Sequence, residues 1–389
     1  MEIEKINHSF SQLKGYVESE NYRGWDPYDG LNSKFFQSLP ISKLPLARLM
    51  WIQFFKRSPI NFRPLFAVEK GLNSKGLSLF LSGYCNLYRA DPRDEYKEKI
   101  FFLTEQIEQL RSKGYSGMCW GYNFDWQARA FFQPQYTPTV VATTYVGYAL
   151  LDAYDLFKKE HWLTNARSAC DFILNDLNRT YDQDGDFCFS YSPLDKTQVF
   201  NASLLGSRLL SRVSAHTKEE KLIEAATKSV SFCCKHQKEN GAWSYGTLPF
   251  HHWIDNFHTG FNLECIHEFQ KFTGNASFNS YLTKGLDYYL STFFSETGQS
   301  KYYNDTLYPI DIHAPAQLIA TLGRMGKMAE HKQLVEKVLE WTVDNMQDQR
   351  GYFYYQLKNT GSSKIPYMRW AQAWMFFGLS YYLTTINKS

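Results

Sequence analysis

The sequence QKENGAWSYGTLPFHHWIDNFHTGFNLECIHE, residues 237–268, contains the pattern that recurs through the chain. It starts at the end of one helical segment, turns at Gly241 and Trp243, and enters an apolar segment with helical periodicity. Glycine allows a turn with positive φ, and the indole can fill the gap between two helical hairpins. A variant of the pattern begins at Gln347. The recurrence predicts a stack of similar helical hairpins.

Two kinds of helix alternate along the sequence. The first kind is amphipathic with one charged face, and the second is apolar nearly all round, which is typical of buried helices. We assign the first kind to 41–57, 94–113, 161–178, 218–236, 275–293 and 329–346. We assign the second kind to 72–89, 138–156, 198–213, 256–271, 311–325 and 367–386. Equivalent points on the second kind (Thr144, Asn201, His258, His313 and Trp370) recur about every 57 residues.

This alternation predicts an all-α fold, an (α/α)6 toroid with six inner and six outer helices in a single domain. An open solenoid would need polar capping repeats, whereas the last inner helix is among the least polar, so ring closure explains it better. We expect residues 34–389 to form the toroid and residues 1–33 an N-terminal strap. The strap either packs over the body or covers a site, presenting Asp26 or Asp29 to a ligand.

Composition excludes several classes of protein. The 389 residues are 17% aromatic with a net charge of +3 and no block of Lys or Arg, which argues against nucleic acid as a partner. The seven cysteines lack CxxC pairs and are expected to be reduced. We see neither a signal peptide nor an apolar run near the ~18 residues of a membrane span. A soluble, cytoplasmic protein is expected, and its oligomeric state stays open.

The glycine-aromatic repeat, the segment Trp120–Gln127 and the segment Arg369–Trp374 resemble the squalene-cyclase/prenyltransferase α/α-toroid superfamily. The resemblance is greatest to members encoded with surface-polysaccharide biosynthesis genes. It implies a central, aromatic-lined cavity at one rim of the ring, and related toroids also carry sugar-processing enzymes. The Asp-x-Asp-Asp acid of terpene cyclases is absent from Asp255–His258 and Asp311–Ala314, and the zinc ligands of protein prenyltransferases have no match.

Candidate site residues follow from the expectation that the inner helices begin at one rim. Carboxylates, imidazoles and stacking aromatics are the groups that glycoside chemistry uses. The acid/base candidates are Asp125, Asp255, His258, Asp311 and His313. The substrate-binding candidates are Trp120, Tyr122, Trp126, Asn201, His252, Tyr308, Arg369, Trp370 and Gln372. No cofactor is expected, and His251-His252 lacks the third ligand that a metal site needs.

Each acidic candidate has an alternative structural role. Asp255 can share a helix face with His258, or it can cap the helix that starts there. Asp311 can likewise be a helix cap, and His313, two residues on, need not share a face with it. Asp125 lies between aromatic neighbours, where desolvation would raise its pKa as a general acid requires. It can equally be paired with Arg129.

These residues predict a carbohydrate-active enzyme that acts on a surface-polysaccharide or oligosaccharide substrate. Hydrolysis, β-elimination and C5 epimerisation all stay open, and the excess of acids over cations among the candidates favours a hydrolase or a lyase. One alternative is a non-catalytic glycan- or lipid-binding component of polysaccharide biosynthesis. A second is a terpenoid cyclase-like enzyme with an unrecognised acid.

Overall fold

The computed structural model describes residues 3–129 and 131–386. Its α-helices are α1 (Ile3–Ser19), α2 (Lys34–Gln37), α3 (Pro45–Arg57), α4 (Ser74–Ala90), α5 (Asp94–Gln109), α6 (Val140–Phe157), α7 (Glu160–Asn175), α8 (Phe200–Thr217), α9 (Glu220–Lys235), α10 (Asn256–Thr273), α11 (Asn279–Phe293), α12 (His313–Arg324), α13 (Lys332–Met346) and α14 (Ala373–Ile386). Short 3₁₀ helices occupy Asp29–Asn32, Pro40–Lys43 and Pro249–His251, and a π-helical turn, Met368–Gln372, precedes α14.

The β-structure consists of short antiparallel strand pairs, of which the first two are hairpins and the third joins strands on either side of α12 and α13. Strands β1 (Trp126–Gln127) and β2 (Phe132–Gln133) form one pair, β3 (Arg179–Tyr181) and β4 (Phe187–Phe189) another, and β5 (Ile310–Asp311) and β6 (Gln356–Leu357) a third. No helix in the described ranges has the length and apolar character needed to cross a membrane.

Six inner helices form a closed ring. In chain order α4, α6, α8, α10, α12 and α14 each pack on the next, and α14 packs back on α4. Each inner helix also packs on an outer one, which is α5, α7, α9, α11, α13 and α1 respectively. The predicted all-α (α/α)6 toroid is therefore confirmed.

The recurring turn joins each hairpin to the outer helix of the next. The Gln237 amide donates to the Gly241 carbonyl at 3.0 Å and to the Tyr281 carbonyl of α11 at 2.9 Å. Gln347 makes the same two bonds, to its own turn and to the Ser9 carbonyl of α1, both at 3.0 Å. Helix α1 thus occupies the place after α13 that α11 occupies after α9, which closes the outer ring.

Two helices differ from the sequence-based assignment. We expected residues 41–57 to be an outer helix, but α3 lies over the rim, against the 3₁₀ helix Asp29–Asn32 and β1. The sixth outer helix is α1, inside the segment expected to be only a strap. Amphipathic periodicity indicates that one helix face is buried, but not which partner buries it.

A buried ion-pair network fills the middle of the ring. Arg208 of α8 contacts Glu268 at 2.8 Å and Glu264 at 3.3 Å, both on α10, and Arg324 of α12 reaches Glu264 at 3.3 Å. The Arg208 guanidinium lies 3.7 Å from the ring centre of Tyr148 on α6. These side chains occupy the space between the inner helices, so a central cavity has room only nearer to the helix starts.

We expect Gly241→Ala to lower the free energy of unfolding more than Gly185→Ala, its matched control in an equivalent turn. Both glycines have positive φ, +89° and +80°, which costs roughly 1–2 kcal/mol for alanine. A Cβ at Gly241 would also lie 2.2 Å from the Lys284 carbonyl oxygen, whereas one at Gly185 meets nothing within 4 Å. The overlap should add about 1–3 kcal/mol. Urea unfolding followed by circular dichroism measures both, and equal losses would contradict this packing.

Candidate functional site

An aromatic cavity of about 490 Å³ lies at the end of the ring where the inner helices begin. The first turns of these helices contribute Lys75, Val141, Asn201, His258 and His313, and the π-helical turn before α14 contributes Trp370. Helix α3 and the β1–β2 hairpin cover the cavity from the other side. Its aromatic lining includes Tyr122, Trp126, Tyr191, Tyr245, Trp253 and Trp370.

His258 is held by a buried carboxylate. Asp255 caps α10 by accepting from the His258 backbone N–H at 2.9 Å, and its Oδ2 lies 2.8 Å from His258 Nδ1. A carboxylate accepts hydrogen bonds, so this contact favours the hydrogen on Nδ1 and leaves Nε2 of the neutral ring as an acceptor. Both interpretations of Asp255, as a cap and as a partner of His258, therefore hold at once.

His313 is a buried imidazole without a hydrogen-bond partner in the described residues. Its ring is stacked on Phe257 at 4.4 Å and lies 4.2 Å from the Trp374 ring. Neither ring nitrogen has a partner. Burial, together with the positive charge of Lys75, holds the pKa of His313 well below its ordinary value. A neutral imidazole that lines a cavity can accept a proton from a bound ligand.

Lys75 is a buried amine that lines the same cavity. Its Nζ lies 4.4 Å from the Tyr145 ring centre and 5.4 Å from that of Trp374, the ring that also contacts His313. No described residue forms an ion pair with Lys75. Burial and the nearby Arg369 guanidinium hold its pKa well below the ordinary value. An oxyanion on a bound ligand would offset that desolvation.

Two other cations at the cavity are neutralised or hydrogen-bonded, and a further lining cation, Arg129, is exposed. Arg369 forms a bidentate pair with Asp26, at 2.6 and 2.8 Å, and Lys56 donates to the Tyr28 hydroxyl at 2.9 Å. Within the described ranges no Asp or Glu side chain lines the cavity. In the same ranges no three His, Cys, Asp or Glu side chains gather as a metal site.

Asp311 lies behind the cavity wall and connects three elements. It accepts from the His313 backbone N–H at 2.9 Å, the Gln356 amide at 2.6 Å and the Trp370 indole at 2.9 Å. Burial raises its pKa to about 6, although these hydrogen bonds oppose the shift. Asp311 therefore positions His313 and Trp370 without lining the cavity itself.

We expect the stability of the wild-type chain to fall, relative to Asp311→Asn, as the pH rises through about 6. The folded chain holds the Asp311 proton more tightly than the unfolded chain, so protonation of Asp311 stabilises the folded state. This stabilisation is fully present below pH 3.8, the ordinary pKa, and is lost above about pH 6. The difference should reach up to about 3 kcal/mol. Urea unfolding of both proteins near pH 4 and near pH 7 measures it. An identical pH dependence in the two would contradict the raised pKa.

The structure brings together part of the predicted set. The cavity is lined by Tyr122, Trp126, Asn201, His258, His313, Arg369 and Trp370. Asp255 and Asp311 contact lining residues from behind. Asp125, just before β1, instead accepts from the Gln135 backbone N–H, just after β2, and forms no ion pair with Arg129.

The remaining candidates lie away from the cavity. Trp120 is buried and donates to the Ile107 carbonyl at 2.8 Å, and the Gln372 amide pairs with the backbone of Phe353. His252 and Tyr308 are exposed. The two strap carboxylates that were open to a ligand are both occupied: Asp26 by Arg369 and Asp29 by Arg63.

Several lining residues were missed from the sequence, among them Lys75, Tyr245 and Trp253. Lys75 is the second residue of α4, and a cation at the start of a mostly apolar inner helix was the signal that could have identified it. Tyr245 and Trp253 stack at 4.3 Å and 14°, and both rings contact His258. They lie on either side of the segment Thr247–His252, so only its fold brings them together.

No protein-family model and no curated protein sequence matches the chain. Several solved structures are similar to the chain. Cellobiose 2-epimerase from Bacillus thermoamylovorans B4167 has a TM-score of 0.65 at 13% identity, over 83% of this chain and 90% of that one. A D-mannose isomerase has a TM-score of 0.59 at 13% identity, over 81% and 87%.

A family 76 glycoside hydrolase, an α-mannanase from Bacteroides thetaiotaomicron, has a TM-score of 0.62 at 12% identity, over 80% of this chain and 87% of that one. At such identities the likeness shows the shared fold, and function has to be argued from the site itself.

Proposed function

We propose that the chain is a carbohydrate-active enzyme that moves a proton at the carbon beside a sugar carbonyl, and so interconverts epimers or aldose and ketose forms of a reducing oligosaccharide. The observation that carries this proposal is the pair of imidazoles, His258 and His313, in an aromatic cavity that no described carboxylate lines. The names of the similar epimerase and isomerase structures support it.

Hydrolysis of a glycoside fits the cavity less well. Glycosidases usually place two carboxyl groups about 5–10 Å apart across the bond they cleave. Here Asp255 is engaged by His258, and Asp311 lies behind Trp370. The sequence-based preference for hydrolysis or elimination counted acids, but those acids support other side chains instead of meeting a ligand.

Proton transfer uses the groups that do line the cavity. One imidazole removes the C2 proton of the open-chain sugar, and the electron pair of that C–H bond moves to the carbonyl oxygen as an enediolate. The Lys75 amine, protonated when the anion forms, stabilises that oxygen. For the ketose, the imidazolium formed in the first step gives its proton to C1, with proton shifts between the oxygens. For the epimer, the second imidazole has to enter the cycle protonated and gives that proton to the other face of C2, while the proton on the first imidazole passes to solvent.

Stacked aromatics next to His258 provide a binding surface for sugar rings. Tyr245 and Trp253 stack on each other, and Trp126 and Tyr191 lie 5.8 Å apart at the cavity wall. Flat aromatic faces bind the C–H faces of pyranose rings while leaving the hydroxyls free for polar contacts. This arrangement favours an oligosaccharide with its reducing end near His313.

We also propose a cytoplasmic role in surface-polysaccharide biosynthesis. The support is the sequence resemblance described above and the seven cysteines, which are all buried as unpaired thiols. A reducing compartment keeps such thiols in that state.

The test is incubation of the purified chain in D₂O with a panel of neutral and uronate-containing reducing oligosaccharides. Mass spectrometry and chromatography should show a one-dalton gain at carbon together with a new epimer or ketose. Cleavage with uptake of water would replace the proposal with hydrolysis, and cleavage with new ultraviolet absorbance would indicate a lyase. A ligand that raises the melting temperature without any product would favour the non-catalytic glycan-binding alternative.

A further inference from the structure

An exposed apolar surface lies outside the cavity, on the segment between the strap and α4. Its members share large side chains in contact with solvent, and we call them the rim patch: Leu44, Leu46, Met50, Phe54, Ile60 and Leu65. Leu65 is 74% exposed and Leu46 is 68% exposed. Several large apolar side chains exposed on one segment usually mark a contact with another molecule or a membrane.

Helix α3 has distinct faces. Ile52 and Phe55 are buried in the core, and Gln53 and Lys56 line the cavity. The rim-patch residues Leu46, Met50 and Phe54 follow one another at four-residue spacing, so they form a stripe on the outer face. The other faces of α3 pack on the core or line the cavity, whereas the outer stripe is exposed to solvent.

Aromatic packing holds the patch in a defined shape. Phe54 stacks on Phe62 at 5.4 Å, and Trp51 packs against Phe66 at 5.1 Å and stacks on Phe36 at 4.8 Å. The exposed side chains therefore project from a packed platform.

The charge around the rim patch has one sign. Residues 30–68 contain six Lys or Arg residues and no Asp or Glu. Lys34 and Arg63 pair with Glu69 and Asp29, which lie outside that segment. Lys43 and Arg57 are exposed and have no ion-pair partner in the described ranges. Arg57 also lines a shallow groove with Met50 and Phe54.

We propose that the rim patch docks the chain on a membrane surface that contains anionic lipid. An apolar stripe flanked by cations is the pattern by which a helix lies in the membrane interface, with apolar side chains among the acyl chains and cations at the headgroups. A second copy of this chain fits less well. A two-fold contact would bring the patch cations of both copies together without an acid from either patch.

The test is sedimentation with vesicles of phosphatidylcholine alone and of equal parts phosphatidylcholine and phosphatidylglycerol, at low and high salt. We expect binding to the anionic vesicles that weakens with salt, because exposed charges are screened. Two double variants, Leu46→Ser with Met50→Ser and Lys43→Gln with Arg57→Gln, should each lower the vesicle partition coefficient about tenfold or more.

The control is Leu194→Ser, which replaces an exposed leucine in the loop before α8 and should leave partitioning unchanged. Circular dichroism and melting temperatures establish that each variant is folded. The proposal is overturned if the wild-type chain ignores anionic vesicles at low salt, or if the Leu46/Met50 variant binds them as well as the wild type. It is also overturned if sedimentation velocity shows a dimer that this variant abolishes while vesicle binding is absent. None of these measurements depends on the proposed catalytic activity.

Discussion

Replacing His313 with asparagine should lower kcat of the proposed proton transfer about 100- to 10,000-fold, the range typical of a general acid or base. Burial keeps the His313 imidazole neutral, and no described residue occupies its nitrogens, so a bound sugar can meet it. Asparagine cannot take up a proton at neutral pH. The measurement is the rate of deuterium incorporation from D₂O into the substrate identified in the panel experiment, and His258→Asn should give a similar loss.

The matched control is His252→Asn, in the same histidine-rich segment but exposed and outside the cavity, which should retain activity within about twofold. Asp255→Asn should give an intermediate loss and a changed pH profile, because it alters the partner of His258 Nδ1 and not a ligand contact. If folded His313→Asn keeps near wild-type kcat, His313 is a core residue and the proposed pair of bases is wrong.

Replacing Arg208 with methionine should lower the free energy of unfolding by about 3–5 kcal/mol, because it leaves buried carboxylates without their partner. The Arg208 side chain is 3% exposed and contacts both Glu264 and Glu268. Arg324 reaches the same two acids at 3.3 and 3.5 Å and would compensate only in part. Urea unfolding at neutral pH measures the loss.

Two further variants test why the loss of Arg208 is costly: one removes an exposed ion pair for comparison, and the other removes the charge left unpaired. Lys327→Met removes an exposed pair with Glu330 and should cost no more than about 1 kcal/mol. Adding Glu264→Gln to Arg208→Met should recover part of the lost stability, since one unpaired carboxylate is then gone and Glu268 keeps Arg324 as its partner. A loss below about 1 kcal/mol for Arg208→Met alone would contradict the role given to this network.

The ring was predictable because its cause lies in local sequence. The interval of about 57 residues between equivalent points and the alternation of charged and apolar helices both reflect one hairpin repeated around an axis. The place of α1 was not predictable in this way. Its pairing with α14 depends on Phe10 meeting Phe376 at 5.0 Å, and on the bond from Gln347 to Ser9. Periodicity carries no information about contacts between such distant positions.

The candidate site was predictable in position but only in part by residue. The expectation that inner helices begin at one rim identified His258 and His313, because a polar side chain at a helix start stands out in an apolar sequence. The same rule selected Asp125 and Trp120. Asp125 accepts a hydrogen bond within the turn before α6, and Trp120 is buried in the core. Whether such a residue lines the cavity depends on the direction of its side chain. A shift of one residue along a turn is enough to move a side chain from the cavity wall to the packing behind it.

Ring closure by α1 also has a consequence for synthesis. Helix α1 is synthesised before the other helices of the ring and its partner α14 after them, so the apolar face of α1 stays uncovered while the intervening hairpins are made. Domains that depend on contacts so far apart in sequence fold slowly and expose apolar surface on the way. A nascent chain stalled before α14 should therefore bind chaperones through α1, and release should coincide with the emergence of α14.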